Sequence, residues 1–199
     1  MKILVIGAGG AIGSAVANEL AIRHDVISAG SNSGDYRADI ADIAQVRALF
    51  AQVGKLDAVV VAAGSVHFGP LAELGPEQFQ VGIASKLMGQ INVAQTAVAY
   101  LNDGGSITLV SGIVSEQPIR YGVSATMVNG AVEAFVRGAA PELPRGIRIN
   151  VISPNVLVES MDKFGPYFRG FEPVPAARVA LGYSRAVEGL QTGQVLRVW

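Results

Sequence analysis

The residues best suited to chemistry sit where short apolar runs end. Gly7-Ala8-Gly9-Gly10-Ala11-Ile12-Gly13 follows the run Lys2 to Ile6 and precedes an amphipathic segment. Missing side chains at such a turn let backbone N–H groups approach a pyrophosphate lying at a helix N-terminus. A tight turn with no ligand asks for the same glycines. Ser111 ends the run Ser106 to Val110. It can hydrogen-bond a substrate oxygen, or satisfy the backbone of its own turn. Tyr121 lies in a following loop, where a phenol either gives a proton or packs.

Composition removes several other chemistries. There is no cysteine, so thiolate catalysis, disulfides and Cys-based metal sites are excluded, and His24 and His67 alone build no metal site. With 15 basic against 16 acidic residues and no run of either, nothing marks a nucleic-acid or anionic-membrane partner, so a small-molecule substrate is expected. No apolar stretch reaches membrane-spanning length, and the first strand begins at once without a secretory leader pattern, which gives a cytoplasmic expectation.

The elements that must position these residues follow from periodicity. Apolar runs alternate with amphipathic segments, the pattern of a parallel sheet covered by helices on both faces. Strands are expected at Lys2 to Ile6, Asp25 to Ala29, Asp57 to Ala62, Ser106 to Val110, Ile147 to Ile152 and Gln194 to Trp199. Helices are expected from about Ile12, where Ile12, Val16 and Leu20 share a face, and over Asp42 to Val53 with Asp42 as cap. Another runs from Pro76 to about Leu101, stopped by Asp103-Gly104-Gly105, and two more cover Ser124 to Gly138 and Ala176 to Glu188. The expected fold is one α/β domain over residues 1–199: a Rossmann-type, doubly wound parallel sheet of about seven strands in a three-layer α/β/α sandwich. Ligands of such a sheet bind at the carboxyl ends of the strands.

Read in order, these strand ends resemble the short-chain dehydrogenase/reductase family over nearly the whole chain. Its Gly-x-x-x-Gly-x-Gly loop is similar to Gly7, Ala11 and Gly13, with Gly9 and Ile12 in the same turn. Its Asp-Val pair at the adenine resembles Asp39-Ile40, and its Asn-Asn-Ala-Gly turn resembles Val61-Ala62-Ala63-Gly64. Its serine matches Ser111, and its Arg-x-Asn-x-x-x-Pro-Gly run matches Arg148 to Asn155 through Pro154. The resemblance implies a nicotinamide dinucleotide held by these residues. It also implies backbone contact with the carboxamide at Val156 or Leu157, and leaves Glu159 pointing to solvent or to a substrate.

The family's Tyr-x-x-x-Lys pair has no counterpart. None of the five tyrosines has a lysine four residues later, and the alignment puts Ala125 at the tyrosine and Asn129 at the lysine. The family's asparagine in the long helix after strand four is Lys86 here, so lysine and asparagine have traded helices. On one reading the Lys86 ammonium reaches the nicotinamide ribose and hydrogen-bonds the Asn129 amide; on the other it is a solvated surface lysine. The aromatic set Phe164, Tyr167, Phe168 and Phe171 sits at the family's substrate lid, where it either covers a ligand or packs on its own core or a subunit neighbour.

The expected cofactor is NADP(H). NAD-selective sites place an acid about 20 residues beyond the glycine loop. Here Gly30-Ser31-Asn32-Ser33 offers hydroxyls and an amide to a 2′-phosphate, with Arg37 nearby. Two functions remain open: an oxidoreductase reducing a small carbonyl or activated alkene with a rearranged site, or a catalytically inactive dinucleotide-binding sensor or scaffold. A homodimer or homotetramer is expected through the two long helices, from Leu87, Ile91, Val98, Val132 and Phe135.

Overall fold

In the computed structural model, which describes residues 1–199, the apolar runs become one seven-stranded parallel sheet in the order β3-β2-β1-β4-β5-β6-β7. The strands are β1 Lys2–Ile6, β2 Asp25–Gly30, β3 Tyr36–Arg37, β4 Leu56–Val61, β5 Leu101–Val110, β6 Arg148–Pro154 and β7 Val195–Val198. The chain runs outward through β1, β2 and β3, then crosses back after β3 to lay β4 on the other side of β1, so the direction of winding reverses between the neighbours β1 and β4, as a doubly wound fold requires.

Strand periodicity divides the core. Leu4 and Ile6 of β1 with Val59 and Val61 of β4 face α2 (Ile43–Val53), α4 (Gly89–Ala97) and α5 (Val123–Ala139). Ile3 and Val5 with Ala58 and Val60 face α1 (Ala11–Ala21) and α7 (Ala176–Glu188). Neighbouring residues of a strand therefore serve opposite layers, which is why these runs are apolar throughout. On the second face Tyr183 is fully buried and its hydroxyl donates to the Val61 carbonyl at 3.2 Å; burial pushes its phenol well above the usual range. Asp42 caps α2 as expected, accepting from the amides of Ala44 and Gln45.

Three expectations change. The single helix over Pro76 to Leu101 is α3 (Pro76–Gly82), a π-helical turn Ile83–Met88 and α4, ending at Ala97. Leu101 already belongs to β5, fully buried and paired with Leu56, so Asp103-Gly104-Gly105 lies inside an irregular strand start instead of stopping the helix. The third strand, to which the sequence assigned no residues, is Tyr36–Arg37, too short to show a period. Finally, Leu87, Val98, Val132 and Phe135 pack into this chain's own core. The large apolar side chains exposed on the same helices are Val81, Met88, Val123 and Met127. No helix is long and apolar enough to cross a membrane.

Candidate functional site

The glycine loop turns β1 into α1 through backbone contacts alone. Gly7 adopts φ +91°, its amide donates to the Ala29 carbonyl at 2.7 Å, and its own carbonyl accepts from Gly10 at 3.0 Å. A Cβ on Gly13 would stand 1.9 Å from that Gly7 carbonyl oxygen, so helix and turn approach too closely for any side chain. Beside the loop opens a cavity of about 330 Å³ lined by Gly7 and Gly9, by Ser31, Asn32 and Ser33 after β2, by Asp39 and Ile40, and by Ala62, Ala63 and Gly64 after β4. Ala11, Ile12 and Gly13 do not line it. Ala11 opens onto a neighbouring groove, Ile12 packs on the α1 core and Gly13 is buried, so these three shape the turn from behind.

Polar groups around this cavity are sorted by their partners. Asp39 lines it and accepts from the Ala41 amide at 2.9 Å. Asp35 turns back to β2, where the Ser28 hydroxyl at 2.7 Å and amide at 2.9 Å hold its carboxyl below the usual carboxylate range. Arg37 is exposed, donates to the Gly34 carbonyl and does not line the cavity. A cradle of glycine backbone at one end and three neutral donors at the other fits a nicotinamide dinucleotide.

A second cavity of about 190 Å³ adjoins the first: Ser65 and Ser85 line one, Val66 and Lys86 the other. It gathers Lys86, Ser111, Ala125, Asn129, Pro154, Val156 and Leu157 under the rings of Phe68, Phe164 and Phe168. Lys86 belongs to the π-helical turn, an irregularity that often re-aims a side chain at a working site. Gly64, at φ +125°, lets this turn pass, since its Cβ would lie 2.8 Å from Lys86 Cα. The Lys86 ammonium donates to the Ser111 carbonyl at 3.1 Å and forms no ion pair, and burial pushes its pKa down to about 8. It is therefore a cavity group and not a solvated surface lysine.

The expected Lys86–Asn129 hydrogen bond is absent, because the ammonium takes the Ser111 carbonyl at the strand end. Asn129, 3% exposed, is left with Oδ1 unpartnered, and buried Ala125 presents only a methyl group. The Ser111 hydroxyl points away from a simple turn role and donates to Glu133 at 2.8 Å. Tyr121 does not join them. It holds φ +65°, meets Tyr167 edge-on at 6.1 Å, lies under Arg120, and lines a separate shallow pocket with Leu71 and Val123. As a proton donor to this cavity it is out of place, because its backbone is turned by the left-handed conformation and accepts from the Gly69 amide.

Beyond β6, Asn155 fixes the loop. Its Oδ1 accepts from the Val156 amide at 2.7 Å and its amide donates to the Glu172 carbonyl, so the Val156 N–H is already engaged and of the two expected carboxamide contacts only Leu157 is left. Glu159 is exposed to solvent, one of its two expected settings, and both its oxygens accept from the Ala176 amide and cap the start of α7. In the aromatic set, Phe164 and Phe168 line the cavity, while Phe171 packs edge-on to Phe168 at 5.2 Å.

Two site residues escaped the sequence reading. Gln90, fully buried, donates to the carbonyls of Lys86 and Val110 and accepts from the Val110 amide at 2.8 Å, tying the lysine's helix to the end of β5. Glu133, 5% exposed, accepts from Ser111 and Ser115. Each stands four residues after a candidate, Lys86 or Asn129, hence on the same helical face, and that spacing was the signal available.

Residues 8–189 match the model of a family described as enoyl-(acyl carrier protein) reductase. Elsinochrome reductase 1 of Elsinoe fawcettii is 33% identical over 185 residues, covering 79% of this chain and 68% of that protein. Among solved structures, the protein lin1944 from Listeria innocua is 54% identical with a TM-score of 0.98 over the full length of both chains. A small-chain dehydrogenase in complex with NADPH is 27% identical with a TM-score of 0.88, covering 100% of this chain and 96% of that one.

Proposed function

The chain belongs to the short-chain dehydrogenase/reductase family of oxidoreductases, and on that premise we propose that it uses NADP(H) to reduce a small carbonyl compound or activated alkene at a rearranged site. The observation that carries this reading is the pair of adjoining cavities, one walled by glycine backbone and neutral donors, the next holding a half-buried ammonium with no ion-pair partner under apolar rings. The NADPH complex of a relative with the same fold supports the choice of cofactor.

Bound NADPH would supply the hydride. Gly7 and Gly9 would take the pyrophosphate, Asp39 and Ile40 the adenine side, Ser31, Asn32 and Ser33 the 2′-phosphate, and Ala62 to Gly64 the turn between the two cavities. In the second cavity Lys86 takes over from the lysine that Asn129 replaces. With a pKa of about 8 it remains an ammonium at neutral pH, free to bind ribose hydroxyls and to stabilise negative charge growing on a substrate oxygen. Asn129 Oδ1, buried and without a partner, is an acceptor for a ribose hydroxyl. Ser111 orients the substrate oxygen, and Phe68, Phe164 and Phe168 exclude water, which strengthens each polar contact inside. A volume near 190 Å³ favours small substrates.

The test is a fluorescence titration with NADPH and NADH, beside NADPH consumption with aldehydes, ketones, quinones and enones. Saturable NADPH binding and turnover of at least one class are expected; failure to bind NADPH overturns the reading. Lys86→Ala should weaken NADPH by about 1–3 kcal/mol, the usual cost of a lost charged hydrogen bond. We also propose a homodimer or homotetramer, supported by exposed Val81, Met88 and Met127 on helices that pack together. A monomer by light scattering at micromolar concentration would count against it.

A further inference from the structure

We propose that Glu133 stores the proton that the reduced substrate receives and delivers it through Ser111, taking over the proton supply where no tyrosine stands. The proposal rests on the reductase reading above. Ser111 lines the substrate cavity, and behind it the Glu133 Oε1 receives the hydroxyls of Ser111 at 2.8 Å and Ser115 at 2.7 Å. Glu133 is 5% exposed and has no ion-pair partner. A carboxyl in that position is costly unless its hydrogen bonds are complete in whichever state it holds.

The two serines can serve Glu133 Oε1 in both states. A hydroxyl has one hydrogen, and each serine has a second acceptor for it: the Gly112 carbonyl lies 3.0 Å from Ser115 Oγ, and the Ile152 carbonyl 3.4 Å from Ser111 Oγ. With Glu133 ionised, both serines donate to Oε1. With Glu133 protonated, its O–H donates to one serine, whose hydrogen turns to the backbone carbonyl. No buried group is orphaned by the change, so a proton can enter and leave without disturbing the fold.

The reduction then balances. As the hydride forms the new C–H bond, the carbonyl π pair moves to oxygen, which takes the Ser111 hydroxyl proton. Ser111 Oγ takes the Glu133 proton, and Glu133 is left as the carboxylate that both serines stabilise. One proton from water restores the acid, giving substrate, NADPH and one proton in, alcohol and NADP⁺ out. The charged groups on the elements packed against α5 are Glu77 on α3, Lys86 on the π-helical turn, Asp103 on β5, Glu142 past the helix end and Arg148 on β6, whose guanidinium is held by the carbonyls of Ala186 and Val187. None pairs with Glu133, so the serines govern it.

Glu133→Gln keeps the shape and an acceptor for the serines but carries no transferable proton. With the carbonyl compound that the wild type reduces fastest, the variant should lose about 100-fold or more in kcat, the usual contribution of a positioned acid, while NADPH affinity is unchanged. A purely structural Glu133 would leave kcat near wild type in this isostere, and that result overturns the proposal. Infrared spectra supply a readout free of turnover. At the pH of turnover an acid carbonyl band should be present in the wild type, be missing in Glu133→Gln and shift in Ser111→Ala. Absence of that band in the wild type also overturns it, even where Glu133→Gln fails to fold. If the wild type does not bind NADPH in the titration, the reductase reading fails and this proposal with it; binding and turnover with a silent Glu133→Gln remove the relay alone.

Discussion

The two cavities are one groove built in two ways. At the β1–β2 end the walls are main chain: Gly7 meets Gly13 and Ala62 through backbone atoms, and the only side chains required are small. At the β5–β6 end the walls are side chains drawn from separate elements: Lys86 from a π-helical turn, Ser111 from a strand end, Asn129 and Glu133 from α5. A backbone surface recognises a pyrophosphate whatever its neighbours, and no substitution improves on the absent Cβ. A side-chain surface is defined by position in space, so an ammonium can arrive from another helix while the cavity keeps a positive charge. The first end is fixed in form by sterics; the second can be rewired.

The sharpest way to break this contrast is at the backbone end. Gly7→Val places a β-branched residue at φ +91° with its Cβ 2.6 Å from the Ala62 carbonyl oxygen, at a cost of about 3 kcal/mol or more from strain and overpacking together. NADPH binding should vanish within the titratable range, and Tm should fall. Near-normal affinity in Gly7→Val would mean that the cradle is not built by backbone approach.

The side-chain end depends on its ties. Gln90→Leu is close in volume but leaves the Val110 amide without its partner and frees the carbonyls of Val110 and Lys86, so a loss of about 2–4 kcal/mol in unfolding free energy is expected from the unmet backbone groups. Chemical denaturation reads it directly. A change under about 0.5 kcal/mol, typical of an unimportant surface site, would show that the lysine's helix is held by packing alone.

Lys86→Met tests the charge itself. The folded-state pKa lies near 8 against an ordinary 10.5, so below pH 8 the fold carries the full cost of a buried ammonium, and that cost is relieved as the pH rises from about 8 toward 10.5. The variant should therefore be more stable than the wild type at pH 7, by up to about 3 kcal/mol, with the gap closing by about pH 10. Tyr183, whose buried phenol resists ionisation, acts equally in both proteins and cancels from the difference. A gap independent of pH would show that Lys86 is solvated and that its reach to the Ser111 carbonyl costs nothing.

The same contrast explains what the sequence disclosed. Gly7, Gly13 and Gly64 stand out because a glycine at a strand end has few other uses, and Ser31 to Ser33 and Asp39 follow by order along the chain. The domain class followed from apolar runs such as Leu4 to Ile6, whose residues serve both layers of the core. The break at Ile83–Met88 was invisible because a π-helical turn keeps the composition of a helix. Glu133 was passed over because a carboxylate in an amphipathic helix is usually solvated, and only the three-dimensional meeting of α5 with Ser111 and Ser115 makes it a buried acceptor. Tyr121 offers a phenol in the loop after Ser111, but its left-handed backbone, which turns it toward Tyr167, leaves no trace in residue type.

The smallest expected effect concerns how the backbone end tells one dinucleotide from another. Ser31, Asn32 and Ser33 line the cavity as neutral donors, Arg37 is turned to the Gly34 carbonyl, and Asp35 is held by Ser28. Nothing there supplies a cation to a 2′-phosphate, and the one carboxylate lining the cavity, Asp39, is tied to the Ala41 amide. Hydrogen bonds from neutral donors to a charged group contribute about 1.5–3 kcal/mol each at best, part of which replaces contacts with water, so NADPH should bind only about tenfold more tightly than NADH. Ser31→Asp supplies the missing acceptor and a charge that repels the phosphate, and should reverse the preference to NADH by a similar factor. Because the repulsion acts at an exposed rim, it should weaken as salt is raised, whereas the gain for NADH, made by short hydrogen bonds, should persist. Paired titrations of wild type and Ser31→Asp at low and high salt read all four affinities. A wild type that binds NADH as tightly as NADPH, or a Ser31→Asp variant whose ratio does not move, would remove Ser31 to Ser33 from the recognition of the 2′ position.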